Sequence, residues 1–139
     1  MSNKRQIYVN VSVSDLKRSM EFFTRLGFGF NPKFTDSNAA CMIVNDAAFV
    51  MLLVEPFFKG FIKKEICNTG THLEALLAVS CDSRAAVDEL VDTALASGGT
   101  KATDPMDHGF MYLRTFYDLD GHHWEAVWMD PNAEIPKQE

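Results

Sequence analysis

A chain of 139 residues, 47% hydrophobic and 23% charged, is long enough for one globular domain with a proper core and too apolar for a disordered chain. Its net charge of −6 excludes a broad electrostatic grip on nucleic acid or anionic membrane, and no apolar run approaches the length of a membrane span. Cys41, Cys67 and Cys81 are widely spaced and form no zinc-type pair, and the N-terminus leads into no signal-type apolar core, so the expectation is a cytoplasmic protein with reduced thiols.

Gln6 to Ser14 reads as a strand: Ile7, Val9, Val11 and Val13 alternate with Tyr8, Asn10 and Ser12, giving one aliphatic face and one that lines a pocket or meets water. Asp15 is a helix cap, followed by Leu16, Met20, Phe23 and Leu26 at helical spacing and by Gly27 at a left-handed terminus. Phe28 to Phe34 reads as a short strand with a bend at Asn31-Pro32. Asn38 to Val44 and Ala48 to Val54 form a hairpin around Asn45-Asp46. The second of these strands is nearly all apolar, so both of its faces are buried or one lines a greasy cavity. In the irregular stretch from Glu55 to Gly70, Pro56 suits a first helical turn, and Phe57, Phe58 and Phe61 close a core edge, meet another subunit or form a lid.

The plan then repeats. His72 to Cys81 is a strand. Ser83 caps a helix with Val87, Leu90, Val91, Ala94 and Leu95 on its apolar side, ending at Gly98-Gly99. Thr100 to His108 is a short strand and loop. A second hairpin runs through Phe110 to Phe116, the turn Asp118-Leu-Asp-Gly121, and His122 to Trp128. Laid on one another without a gap, the hairpins pair Asn45-Asp46 with Asp120-Gly121 and Val50 with Glu125. One helix per three or four strands covers a single sheet face, so two such modules share a core or a cavity. On the last strand His123, Glu125 and Val127 share one face, and Trp124, Ala126 and Trp128 the other. Glu125 is an ordinary solvated carboxylate if its face meets water and the leading candidate for chemistry if that face lines a cavity.

Two stretches resemble the vicinal oxygen chelate superfamily of glyoxalases, bleomycin-resistance proteins and extradiol dioxygenases: Val11 to Phe28, with Asp15-Leu16, Ser19 and Phe22-Phe23 before Leu26-Gly-Phe28, and Phe116 to Glu125, where Leu119 replaces the usual proline of an Asp-Pro-Asp-Gly hairpin. The resemblance covers Ile7 to about Pro131. It implies an α+β fold of two βαβββ modules, residues 6–67 and 71–131 within a single domain 1–139 with a tail at 132–139, curled into a cup that usually holds a divalent metal, in a homodimer. By position its metal ligands fall on Tyr8, Val50, about Leu76 and Glu125, of which only Glu125 is a good ligand. The cofactor expectation is therefore none, or a weakly bound divalent metal held by Glu125.

Two function classes follow. In the first, the cup binds a small apolar or aromatic molecule without turning it over, with Tyr8, Asn10, Met42, Met51, Tyr112, Arg114 and Phe116 as its walls. In the second, Glu125 and His123 are catalytic in a glyoxalase-like lyase, an isomerase or a dioxygenase, Glu125 serving as metal ligand or general base. Neither class involves nucleic acid or a membrane.

Overall fold

The computed structural model describes residues 5–134, so most of the tail expected at 132–139 lies outside the described residues. The chain divides after Asn68 into two compact units, each a mixed sheet with at least one helix. Among the described residues no helix is long and apolar enough to cross a membrane.

In the first unit the strands are β1 (Ile7–Val13), β2 (Gly29–Asn31), β3 (Ala39–Asn45) and β4 (Ala48–Val54), in the order β1-β4-β3-β2. β1 runs parallel to β4, and the other pairs are antiparallel. Helix α1 (Leu16–Arg25) begins where the Asp15 carboxylate accepts from the Arg18 N–H at 3.2 Å. It packs on β3 and β4. The buried face of α1 is Ser19, Phe22 and Phe23, which corrects the stripe expected at Leu16, Met20, Phe23 and Leu26: the helix is rotated so that the adjacent phenylalanines enter the core, their rings edge-to-face at 5.0 Å. Below them lie Val11, Val13, Ala40, Met42, Val50 and Leu52. Pro32–Phe34 forms one 3-10 turn capped by Asn31, and α2 (Glu55–Lys59) carries Pro56 in its first turn.

The second unit repeats the pattern. Its strands are β5 (Leu76–Ser80), β6 (Thr100–Lys101), β7 (Met106–Asp107), β8 (Met111–Tyr117) and β9 (His123–Met129). The order is β5-β9-β8-β6, with β7 also on β8 and β5 parallel to β9. Helix α3 (Arg84–Ala96) is capped by the Ser83 hydroxyl on the Ala86 N–H and buries Val87, Val91 and Ala94 against β8 and β9. The strand expected from His72 begins only at Leu76, because 69–75 is a succession of turns and bends.

The Asp118–Gly121 turn connects β8 to β9. Gly121 sits at φ +80°, and a side chain there would meet the Thr69 hydroxyl oxygen at 2.7 Å, so glycine serves both the backbone angle and the close approach.

Candidate functional site

β8 and β9 pair so that Thr115 lies opposite Glu125, and Tyr117 opposite His123. These four residues share the sheet face turned away from α3, and on the neighbouring strand Leu76 and Ala78 join it, opposite His123 and Glu125. His123 is only 6% exposed, and its ring and that of Tyr117 stand edge-to-face with centroids 5.7 Å apart. Its Nε2 stands 3.6 Å from Glu125 Oε2. Among the described residues neither ring nitrogen of His123 has a hydrogen-bond partner. Thr115 is buried and bonds Thr103, hydroxyl to hydroxyl at 2.7 Å.

The equivalent face of the first sheet carries Tyr8, Asn10, Phe49, Met51, Cys41 and Ile43. Tyr8 stacks on Phe49 at 4.9 Å, and its hydroxyl donates to Gln6 Oε1. Tyr8, Asn10, Phe34 and Met51 line a cavity of about 280 Å³. Phe34 is not legible in the sequence as part of it, because it follows the Asn31-Pro32 bend with no periodicity to place it.

Four expected pocket walls are corrected. Met42 is fully buried and lies opposite Val50, on the α1 side of the sheet. Tyr112, Arg114 and Phe116 face α3 and the core. The Tyr112 hydroxyl donates to Asp88 at 2.6 Å, and the Arg114 guanidinium bonds Asp88 at 3.0 Å and Asp92 at 2.9 Å. Phe116 is 1% exposed and stacks on Trp124. The parity linking Tyr112, Arg114 and Phe116 was right, but their face is the one that the helix covers. Arg84 completes this layer: its guanidinium lies over the Tyr112 and Trp128 rings and forks onto Asp107 with two bonds of 2.8 Å.

These contacts set a pH dependence. The Tyr112 hydroxyl and Arg114 hold the Asp88 carboxyl below its usual range, and Arg84 with the Gly109 N–H holds Asp107 well below it. A carboxyl lowered by folding contributes stability that is fully present above its unfolded value, about 3.9, and is lost as pH falls through the folded one. The second unit is expected to lose stability on acidification from about pH 4 downward, and Asp107→Asn to flatten that loss. Urea unfolding across that range checks it.

The metal positions inferred from the hairpins also change. Tyr8 and Leu76 stand at the same distance ahead of their helix caps, and Tyr8 pairs with Phe49 as Leu76 pairs with His123. Phe49 therefore corresponds to His123, and Met51, not Val50, to Glu125. The gapless overlay failed because the two hairpin connections differ in length and the first hairpin shifts register between Ile43 and Asn45. A divalent centre at Tyr8, Met51, Leu76 and Glu125 would have a neutral phenol, a thioether, an alkyl chain and one carboxylate. That donor set does not fit. Among the described residues no three His, Cys, Asp or Glu side chains converge.

Comparison with known proteins adds a family. The family model described as the Glyoxalase/Bleomycin resistance protein/Dioxygenase superfamily matches residues 5–126. No curated protein matches the sequence. Among solved structures, a hypothetical protein, SA1046, from S. aureus superposes with a TM-score of 0.76 at 23% identity, covering 91% of this chain and 95% of its own. A glyoxalase/bleomycin resistance protein/dioxygenase family enzyme from Burkholderia phytofirmans gives 0.72 at 18% identity, covering 88% and 96%. The fosfomycin resistance protein FosX from Mesorhizobium loti gives 0.65 at 15% identity, covering 91% and 93%. At these identities the likeness is one of fold.

Proposed function

Because this chain belongs to the Glyoxalase/Bleomycin resistance protein/Dioxygenase superfamily, we propose that it binds a small apolar or aromatic molecule on the open face of its first sheet and does so without the family's metal centre. The observation that carries this reading is the cavity at Tyr8, Asn10, Phe34 and Met51. Tyr8 is 45% and Phe34 57% exposed, large rings standing at the surface around one cavity. About 280 Å³ lies just under the usual range for drug-sized ligands and suits a single-ring compound. A flat molecule can stack on the Tyr8 ring, Met51 adapts to its outline, and Asn10 offers one polar contact. A metal-dependent lyase, isomerase or dioxygenase built on Glu125 needs further donors, and among the described residues of that face the second sheet adds one imidazole, His123, beside the neutral hydroxyls of Thr115 and Tyr117.

Toluene and chlorobenzene are the first probes, followed through the methyl signal of Met51 by NMR. A saturable shift is expected, and Tyr8→Ala should weaken binding about 3- to 10-fold through the lost ring contact, with little change in stability because Tyr8 is half exposed. An unmoved Met51 signal, or full affinity in Tyr8→Ala, would sink the reading.

Pairing of two copies belongs to the same proposal. β1 and β5 each end a sheet, and Ile7 and Leu76 lie on them about 60% exposed. An apolar edge strand of this kind is a surface that proteins ordinarily cover. Sedimentation equilibrium decides between monomer and dimer.

A further inference from the structure

We infer that the cavity on the first sheet selects an uncharged aromatic molecule whose polar group donates a hydrogen bond, such as an aryl amine or a phenol. This selectivity deepens the binding reading of the first sheet and rests on it. Its source is a chain of hydrogen bonds whose direction the backbone fixes.

Gln6, just ahead of β1, alternates onto the same side of the chain as Tyr8 and Asn10. The Gln6 amide nitrogen Nε2 donates to the Asp46 backbone carbonyl at 3.2 Å. A carbonyl only accepts, so it takes the nitrogen end of the amide and leaves Oε1 for the Tyr8 hydroxyl, 3.1 Å away. Oε1 also only accepts, so the Tyr8 hydroxyl gives it its single proton and keeps only lone pairs for any other partner. Asn10 is oriented by the same rule. Its Nδ2 donates to the Tyr8 backbone carbonyl at 3.2 Å, which leaves Oδ1 and one further amide N–H.

Tyr8 and Asn10 are the polar members of the cavity lining, beside Phe34 and Met51. What they have left is two oxygens that accept against one N–H that donates. A ligand N–H or O–H can bond either oxygen. A nitrile, ketone or nitro group meets lone pairs at Tyr8 and has only the one amide N–H. None of the four lining residues is charged, so an ammonium would shed water without gaining a counter-charge. Gln6 acts through Tyr8 and is a positioning residue.

The test uses the full chain and titrates aniline, benzonitrile, toluene and benzylamine against the Met51 methyl signal. Aniline, uncharged at neutral pH, is expected to bind about 3- to 10-fold tighter than benzonitrile, the worth of one neutral hydrogen bond. Gln6→Leu frees the Tyr8 proton, so benzonitrile should gain affinity and the ratio fall toward one. Gln6 is exposed, so this variant leaves the core alone. Benzonitrile binding as tightly as aniline overturns the proposal, as does an unchanged ratio in Gln6→Leu or benzylamine binding more tightly than aniline. Toluene separates this proposal from the reading beneath it. Toluene bound with no preference for aniline over benzonitrile overturns the selectivity alone, and a Met51 signal that no probe moves overturns both.

Discussion

Trp124→Ala is expected to destabilise the second unit by about 3–5 kcal/mol, a large share of the roughly 5–15 kcal/mol that holds a typical domain folded. Trp124 is 1% exposed in the layer between the sheet and α3, with its ring nearly parallel to that of Phe116. Truncation removes the apolar transfer free energy of a large ring and leaves a cavity that a sheet can only partly close. It also removes the indole N–H that donates to Asp118 Oδ2 at 2.9 Å. Trp124→Phe separates the two losses: it keeps a ring against Phe116, gives up the hydrogen bond and should cost about 1–2 kcal/mol. Thermal unfolding measures both, at about 4–8 °C per kcal/mol for a unit of this size. Equal midpoints for the two variants would mean that ring packing contributes little and would overturn this account of the core.

Asp118→Ala is the second large effect, expected at about 3–4 kcal/mol. The Asp118 carboxylate is 7% exposed and accepts from three donors: Asp120 N–H at 2.9 Å, His122 N–H at 3.0 Å and the Trp124 indole. It ties the turn to the core, so its loss withdraws an acceptor from three donors at once. Burial pushes the carboxyl above its ordinary range despite those bonds and the nearby His122. The sign is opposite to that for Asp88 and Asp107. A carboxyl raised by folding costs stability above its folded value, and the cost is relieved as pH falls through that value toward the unfolded one. Asp118→Asn should therefore keep the two backbone bonds, lose the indole bond and remove that relief on mild acidification. Stability against pH for wild type and Asp118→Asn is the check. Wild-type-like stability of Asp118→Ala would show that other acceptors serve those donors equally well.

Local chemistry made much of the fold legible. Asp15 and Ser83 cap the helices they were read to cap, because a short polar side chain before an apolar periodic run has few other uses. Gly27 takes the positive φ expected of a helix terminus. Both hairpins fall where turn residues interrupt β-branched and aromatic runs. The start of β5 was misplaced because His72 and Leu73 are compatible with a strand but have none beside them in the sheet.

The candidate sites were legible only by half. Alternation determined that His123 and Glu125 share a face, and that Tyr112, Arg114 and Phe116 do. It carried no information on which face α3 covers, since an aromatic or Arg-bearing face serves a pocket or a helix interface equally well. Only the tertiary structure, by bringing Asp88 and Asp92 over Arg114, assigned that face to the helix. The same holds for Met42 against Met51 and for Val50 against Met51 at the family's ligand position, where one residue of register reverses the direction of a side chain. The sequence by itself determined most of the elements and their order, because capping and turn chemistry are local properties. Which faces are covered, where a cavity opens and that His123 is buried were decided by pairing and packing between residues far apart in the chain, which no local pattern encodes.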